Sequence, residues 1–374
     1  MLILALKMLF GDRLKFITLV VGLSFSVLLV TQQTSIFCGL MRRFVATIRN
    51  TQASVWVMDP AMRFVDDIKP MSDGELFRVR SIPGVQWALP LYQGLPQIQL
   101  PNGKSETISL MGVDATSLMG CPHTVVAGDI HRLNQPNAIA VEKRSLWKLN
   151  NPKVGDTLEI NDQQARVVAI VDLAPNFQSL PYVFTTYQRA LRYAPPQRKL
   201  LSFILVKPKV GISPEVISKR ITQATQLAAL PELDFMWKTV DYYVKNTGIP
   251  INFGITVSLG IIVGAAISAQ TFYAFVMENM RQFATMKAMG ASNGLLIKII
   301  LLQNLVVGLI GYGIGLGLMT LCGLIIPNVT ELSFWTPWQV PMIAFCSVVG
   351  VSLFASLFGI RKVISAEPAM VFRG

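Results

Sequence analysis

The sequence predicts an α-helical membrane protein with four transmembrane helices and a large α+β extracytoplasmic (periplasmic) domain inserted between the first and second spans. Three observations carry this. Apolar runs of bilayer length occupy both ends of the chain, a polar region of about 200 residues separates the first run from the others, and basic residues flank the runs. Of 374 residues, 52% are hydrophobic and 14% charged, against about 25% charged in soluble chains. The net charge of +12 does not point to nucleic acid. Lys7, Arg13, Lys15, Arg281, Lys287, Lys298, Arg361, Lys362 and Arg373 sit at the ends of the runs, as the positive-inside bias places them, and no groove-reading motif accompanies them.

Residues 1–15 read as a cytoplasmic amphipathic helix, with Leu2, Leu6, Leu9 and Phe10 interleaved with Lys7, Asp12, Arg13 and Lys15. Residues 16–40 form the first span, with no charge. The basic prelude is long, no small-x-small site follows, and Phe37 before Cys38 does not suit a lipoprotein signal, so a retained anchor is expected rather than a cleaved leader.

Residues 41–250 carry charges of both signs and frequent turn residues, predicting an α+β domain of two lobes with a boundary at about 118–128. Ser72-Asp73-Gly74-Glu75 predicts a capping box, opening a helix that carries Leu76, Phe77 and Val79 and stops at Ile82-Pro83-Gly84. Asn102-Gly103 predicts a hairpin between strands at 97–100 and 107–110, and Asn161-Asp162 a second between 157–160 and 165–171. A further strand is expected at 202–206. Ser213 before Pro214 predicts a helix start, the helix running to about Leu230. Cys121, His123 and His131 match no zinc spacing, and Asp66-Asp67 reads as solvated loop carboxylates.

The second span, 251–277, has no Asp, Glu, His, Lys or Arg. A charged island at 278–293, a third span at 294–326, a loop at 327–337 without Lys or Arg, a fourth span at 338–360 and a tail at 361–374 complete the chain. Trp335 and Trp338 read as interface anchors. Gly260 and Gly264, and Gly311 and Gly315, have the spacing that lets helices approach closely, within one chain or across a dimer. Spans without a charge near their centres argue against an ion-coupled carrier. No P-loop occurs, and no nucleophile, base and orienting group converge, so no enzyme activity, cofactor or metal is expected in this chain. In the island, Met280, Phe283 and Met286 fall within an arc of about 120° on a helical wheel. Gly290 offers a stop and Ser292 a cap for the next helix.

Arg281 followed by Lys287-Ala288-Met289-Gly290-Ala291-Ser292 resembles the signature of permease subunits in the MacB/FtsX-like family of ABC transporters, the type VII group. Ile82-Pro83-Gly84-Val85, Gly155-Asp156-Thr157 and the run Val167-Val168-Ala169-Ile170-Val171 resemble that family's extracytoplasmic domain. Ser54-Val55-Trp56-Val57-Met58-Asp59-Pro60 resembles the DevC-like export branch, and the tail around Pro368 resembles the family's closing stretch. The resemblance implies that the island is a coupling helix contacting a separate ATPase that holds ATP and Mg, with Glu278, Arg281, Gln282, Phe283, Met286, Lys287 and Gly290 as the coupling residues. It further implies a homodimer in lipid of a bacterial inner membrane, both termini cytoplasmic, working with a periplasmic membrane-fusion adaptor and an outer-membrane channel to expel substrate from the periplasm or outer leaflet. Its alternatives are an FtsX-like signalling subunit that activates a periplasmic cell-wall hydrolase, and a lipoprotein-releasing permease.

Overall fold

The computed structural model describes residues 8–11, 13–101, 103–195, 200–329 and 332–365. Most of the amphipathic prelude, Asn102 of the first hairpin turn and the tail around Pro368 lie outside the described residues. The chain divides into two compact units, residues 1–40 with 248–374, and Met41–Thr247.

The first unit contains four helices long and apolar enough to cross a membrane: α1 (Arg13–Phe44, whose last turn belongs to the second unit), α7 (Ile249–Glu278), α9 (Asn293–Val329) and α10 (Gln339–Ile364). In lipid the backbone must satisfy its own polar groups, which a continuous helix does. Small residues bring these helices together. A methyl group placed on Gly260 or Gly264 of α7 would meet Leu29 or Ser26 of α1, and one on Gly311 or Gly315 of α9 would meet Leu23 or Val27 of α1. The four glycines thus face α1 of the same chain, whereas Gly313 and Gly317 face open space. Ser26 Oγ donates to the Gly260 carbonyl at 2.9 Å across the α1–α7 seam. Asn304 of α9 donates to the Ser352 carbonyl and, at 2.7 Å, to Ser356 Oγ, both on α10. Near Trp335, Ser333 Oγ donates to the Gly39 carbonyl (2.9 Å) and the Trp335 amide to the Ser35 carbonyl (3.2 Å).

The second unit is built on one twelve-stranded mixed sheet of β1 (Val55–Met58), β2 (Val85–Gly94), β3 (Gln97–Gln99), β4 (Ser105–Thr107), β5 (Ser109–Val113), β6 (Val125–Gly128), β7 (Ala138–Glu142), β8 (Thr157–Ile160), β9 (Gln163–Val171), β10 (Tyr182–Thr186), β11 (Phe203–Pro208) and β12 (Ala228–Pro231). Their order is β12-β1-β11-β2-β5-β10-β7-β9-β8-β3-β4, with β6 against β9. Successive side chains of a strand point to opposite faces. In β1 (Val55–Met58), Val55 and Val57 join Ile217 and Ile221 of α5 (Pro214–Thr225) and Leu76 and Val79 of α3 (Gly74–Arg80), while Trp56 and Met58 point the other way. Trp56 meets Phe203 of β11 (Phe203–Pro208) edge-on at 5.1 Å and Phe235 of α6 (Glu232–Asn246) at 5.5 Å. One apolar core runs along this face of the sheet, from Trp56 through Met111 of β5 (Ser109–Val113) to Phe184 of β10 (Tyr182–Thr186). The opposite face is divided between the α3/α5 core and a second core with Ala190 and Tyr193 of α4 (Tyr187–Tyr193). The chain enters the unit at Phe44, which follows α1 residues Met41 to Arg43 and precedes α2 (Ala46–Thr51). It leaves through α6, and Phe44 stacks on Tyr243 of α6 at 3.8 Å with rings 4° from parallel.

Several expectations need correction. Residues 118–128 do not divide two lobes, because β5 before them pairs in parallel with β10 after them, and β2 (Val85–Gly94) pairs with β11. Strands buried on both faces need partners on both edges, and those partners come from both halves of the chain. The capping box does not close: Ser72 Oγ accepts from the Gly74 amide at 3.3 Å, but the Glu75 carboxylate turns to Arg78 at 2.8 Å, a charge-assisted pair. The helix begun by Ser213, whose Oγ accepts from the Val216 amide, ends at Thr225. Gln226 adopts a left-handed conformation (φ 64°), and Ala228–Pro231 forms β12 against β1. The first hairpin returns through Ser105–Thr107, and Ser109–Val113 departs to β2 and β10. The second turn matches its expectation, with Asn161 and Asp162 both at positive φ between paired Ile160 and Gln163.

The glycine seam yields a contrast. Gly264→Val, pressed onto Ser26, is expected to lower the thermal midpoint of the purified chain in detergent by the equivalent of about 1–3 kcal/mol. Gly313→Val, in open space, is expected to leave it within experimental error.

Candidate functional site

α8 (Met280–Ala288) fills the charged island between α7 and α9. Its start is a single non-helical step at Asn279, whose Nδ2 donates to the Phe275 carbonyl (2.8 Å) while its own carbonyl accepts from Gln282 and Phe283 amides (3.0 and 3.1 Å). Its end is a Schellman motif: the Gly290 amide donates to Lys287 O (3.1 Å) and the Ala291 amide to Met286 O (3.0 Å). Gly290 sits at φ 94°, a conformation that a residue with a Cβ adopts only under strain. Ser292 then caps α9, its Oγ accepting from the Leu295 amide at 3.3 Å.

The short helix is two-faced. Met280, Phe283, Ala284 and Met286 are buried, Phe283 at 1% exposure, in a cluster with Met8, Leu9 and Leu19, Phe272 and Phe275 of α7, Leu296 and Ile299 of α9 and Val363 of α10. Arg281, Gln282 and Gly290 are exposed. Two polar ties hold the flanks. Glu278 pairs with Lys15 of α1, and Lys287 Nζ donates to the Ile364 carbonyl of α10 at 2.8 Å.

Of the coupling residues expected from the sequence, Phe283 and Met286 therefore point into their own bundle and present nothing to a partner. Glu278 and Lys287 are engaged within the chain, Gly290 shapes the stop, and Arg281 and Gln282 face outward. Met289, 75% exposed, belongs to the same outward surface and was not singled out by sequence reasoning. Its position just before the glycine stop was the available signal. The buried polar contacts of Asn304 were likewise missed, since attention to charges passed over an amide in an apolar run.

Asp66 also departs from expectation. It is not a solvated loop carboxylate: it is largely buried, and burial pushes its carboxyl up to about 6, opposed by one hydrogen bond from Gln93 Nε2 at 3.0 Å. Asp67 points elsewhere, to Arg63 (2.9 Å) and Lys69 (3.1 Å), which hold its carboxyl below the usual range against the effect of burial. Cys121 is buried, and burial pushes its thiol up to about 12. Among the described residues no three His, Cys, Asp or Glu side chains gather at metal-binding distance.

Four helices long and apolar enough to cross a membrane, with a sheet domain between the first and second in the chain, define a polytopic membrane protein with one large folded insertion. The family model for the MacB-like periplasmic core domain matches residues 16–224, and that for the FtsX-like permease C-terminal region matches residues 254–368. The chain belongs to the MacB/FtsX family and is an ABC transporter permease, of the kind whose ATPase is a separate subunit. It is 25% identical over 353 residues to an uncharacterized ABC transporter permease of Mycobacterium tuberculosis, covering 92% of this chain and 93% of that one. A similar permease of Methanocaldococcus jannaschii is 26% identical over 219 residues, 56% of this chain and 53% of that one. The crystal structure of the periplasmic region of MacB from Actinobacillus actinomycetemcomitans aligns at 16% identity and TM-score 0.39, covering 54% of this chain and 96% of that one.

The Asp66 environment gives a signed prediction. The native carboxyl takes up its proton at about pH 6 and the unfolded one near pH 4, so the advantage of the protonated native form is full below about 4 and lost as pH rises through about 6. Asp66→Asn is expected to stabilise the chain by roughly 2 kcal/mol at pH 8 and by little at pH 4, read from unfolding curves at the two pH values. An equal effect at both would contradict this assignment.

Proposed function

We propose that this permease is the membrane subunit of an exporter in a bacterial inner membrane, with both termini and α8 on the cytoplasmic side. The observation that carries the reading is the two-faced α8. A partner pressing on Arg281, Gln282 and Met289 presses on a helix whose other face is packed into the α7, α9 and α10 ends by Phe283 and Met286. Its flanks are held at Lys15–Glu278 and at Lys287–Ile364. Displacement then passes to the spans rather than being absorbed by a loop.

The partner is the ATPase subunit, which supplies the ATP and Mg that this chain has no P-loop to hold. Two copies of the permease work with two ATPase subunits. Within the 41–247 unit, Phe44 and Tyr243 stack close to the two points where the chain enters and leaves it. Cargo is taken from the periplasm or outer leaflet and leaves through a membrane-fusion adaptor and an outer-membrane channel. Spans with no Asp, Glu, His, Lys or Arg at their centres support a route outside the bundle for hydrophilic cargo.

Co-purification tests the partner face. Arg281→Glu is expected to leave the thermal midpoint of the permease unchanged and to abolish association with its ATPase. Phe283→Ala is expected to lower that midpoint through loss of about 3 kcal/mol of packing. Wild-type ATPase recovery by Arg281→Glu would remove the exposed face as the contact.

A further inference from the structure

We propose that a cavity in the 41–247 unit, beside Asp66 and Gln93, is a binding site for a small organic cation: an ammonium group carried on an apolar body. The cavity measures about 530 Å³, within the range of small-molecule pockets. Its lining joins Asp66, Gln93 and the Asp67–Lys69 pair to apolar Ile68, Leu95, Pro195 and Leu200.

An ionised carboxylate offers about four acceptor positions. Among the described residues Asp66 receives one hydrogen bond, from Gln93 Nε2. The cations of the same loop, Arg63 and Lys69, are on Asp67. Burying a carboxylate without a counter-charge is costly, and among the described residues no cation offsets it. Glu142, also buried, differs: the Tyr182 amide (3.2 Å) and Ser145 hydroxyl (3.1 Å) donate to it, and it lies off the cavity.

Gln93 supplies the second, independent observation. Its backbone amide donates to Ser202 Oγ at 2.9 Å and its carbonyl accepts from the same hydroxyl at 3.2 Å, which fixes the residue at 4% exposure. With Nε2 committed to Asp66, the side-chain oxygen Oε1 is a buried acceptor without a hydrogen-bond partner among the described residues. The reverse amide orientation would set that oxygen against the carboxylate, so the donor assignment follows from the charge.

Both deficits are for donors, and one is for positive charge. A protonated amine supplies charge and several N–H donors at once, an alcohol supplies one donor and no charge, and an anion is repelled. Ile68, Leu95, Pro195 and Leu200 give a hydrocarbon body a surface to cover that a bare metal ion or a polyamine would leave unused. This site is independent of the export reading, because occupancy requires neither the ATPase nor transport.

Equilibrium dialysis of the full-length chain in detergent at pH 8, where Asp66 is ionised, tests it with labelled phenethylamine and its neutral counterpart phenethyl alcohol. The expected result is one saturable amine site per chain, with the alcohol at least about tenfold weaker. Asp66→Asn is expected to weaken the amine by about tenfold or more and leave the alcohol unchanged. Absence of saturable amine binding, equal affinity for amine and alcohol, or wild-type amine affinity in Asp66→Asn would each overturn the proposal. The comparison of the two compounds on the unmodified chain does not depend on the variant folding.

Discussion

The packing of Phe283 beneath the ends of α7, α9 and α10 is the contact on which the membrane unit turns. A helix of nine residues has little stability of its own, since nucleation fixes several residues for each hydrogen bond gained. α8 persists because Met280, Phe283 and Met286 bury on one side, and because Gly290 and Ser292 end it and begin the next helix without an unpaired turn. What remains outward is Arg281 and Gln282 with Ala288 and Met289. The chain thereby separates two tasks on one short element: an inner face that holds and an outer face available to be touched.

The spans answer a different constraint. Lipid gives no hydrophobic drive for one helix to leave it for another, so close approach and a few hydrogen bonds must hold the bundle. Gly260 and Gly264 on α7 and Gly311 and Gly315 on α9 both seat against α1, which places that helix between two partners. Gly359 of α10 faces Val276 of α7 and Gly308 of α9 faces Ser352 of α10, so the seams close on themselves. The Asn304 amide, bonded to Ser352 and Ser356, adds direction to the last of these contacts. In the sheet unit the same closure is reached with strands, because a sheet core that is apolar on both faces needs helices or loops on both sides.

Much of this was legible from residues alone. Span positions follow from uninterrupted apolar runs, the Asn161-Asp162 turn from residues that tolerate positive φ, and the inward arc of α8 from the spacing of Met280, Phe283 and Met286. Long-range pairing was not legible. Nothing local in Val55-Trp56-Val57-Met58 announces Phe203–Pro208 and Ala228–Pro231 as its neighbours, and a lobe boundary drawn along the sequence failed because β5 pairs with β10 across it. Likewise, Asp66 and Asp67 look alike in sequence, and only the fold decides that one meets Arg63 while the other is enclosed with Gln93. That Phe283 and Met286 pack on this chain's own helix ends was not legible for a related reason: an apolar arc states that a face is buried, not by whom.

The claim that α8 moves as one body with the spans is tested most directly by the distance between spin labels at Gln282 on α8 and Leu357 on α10, introduced after replacing the four native cysteines. Measured by pulsed electron paramagnetic resonance in the assembled transporter, with and without ATP, that distance is expected to hold within about 2 Å. A nucleotide-dependent change of about 5 Å, one helical turn, would show that α8 swings free of the bundle and would contradict the account.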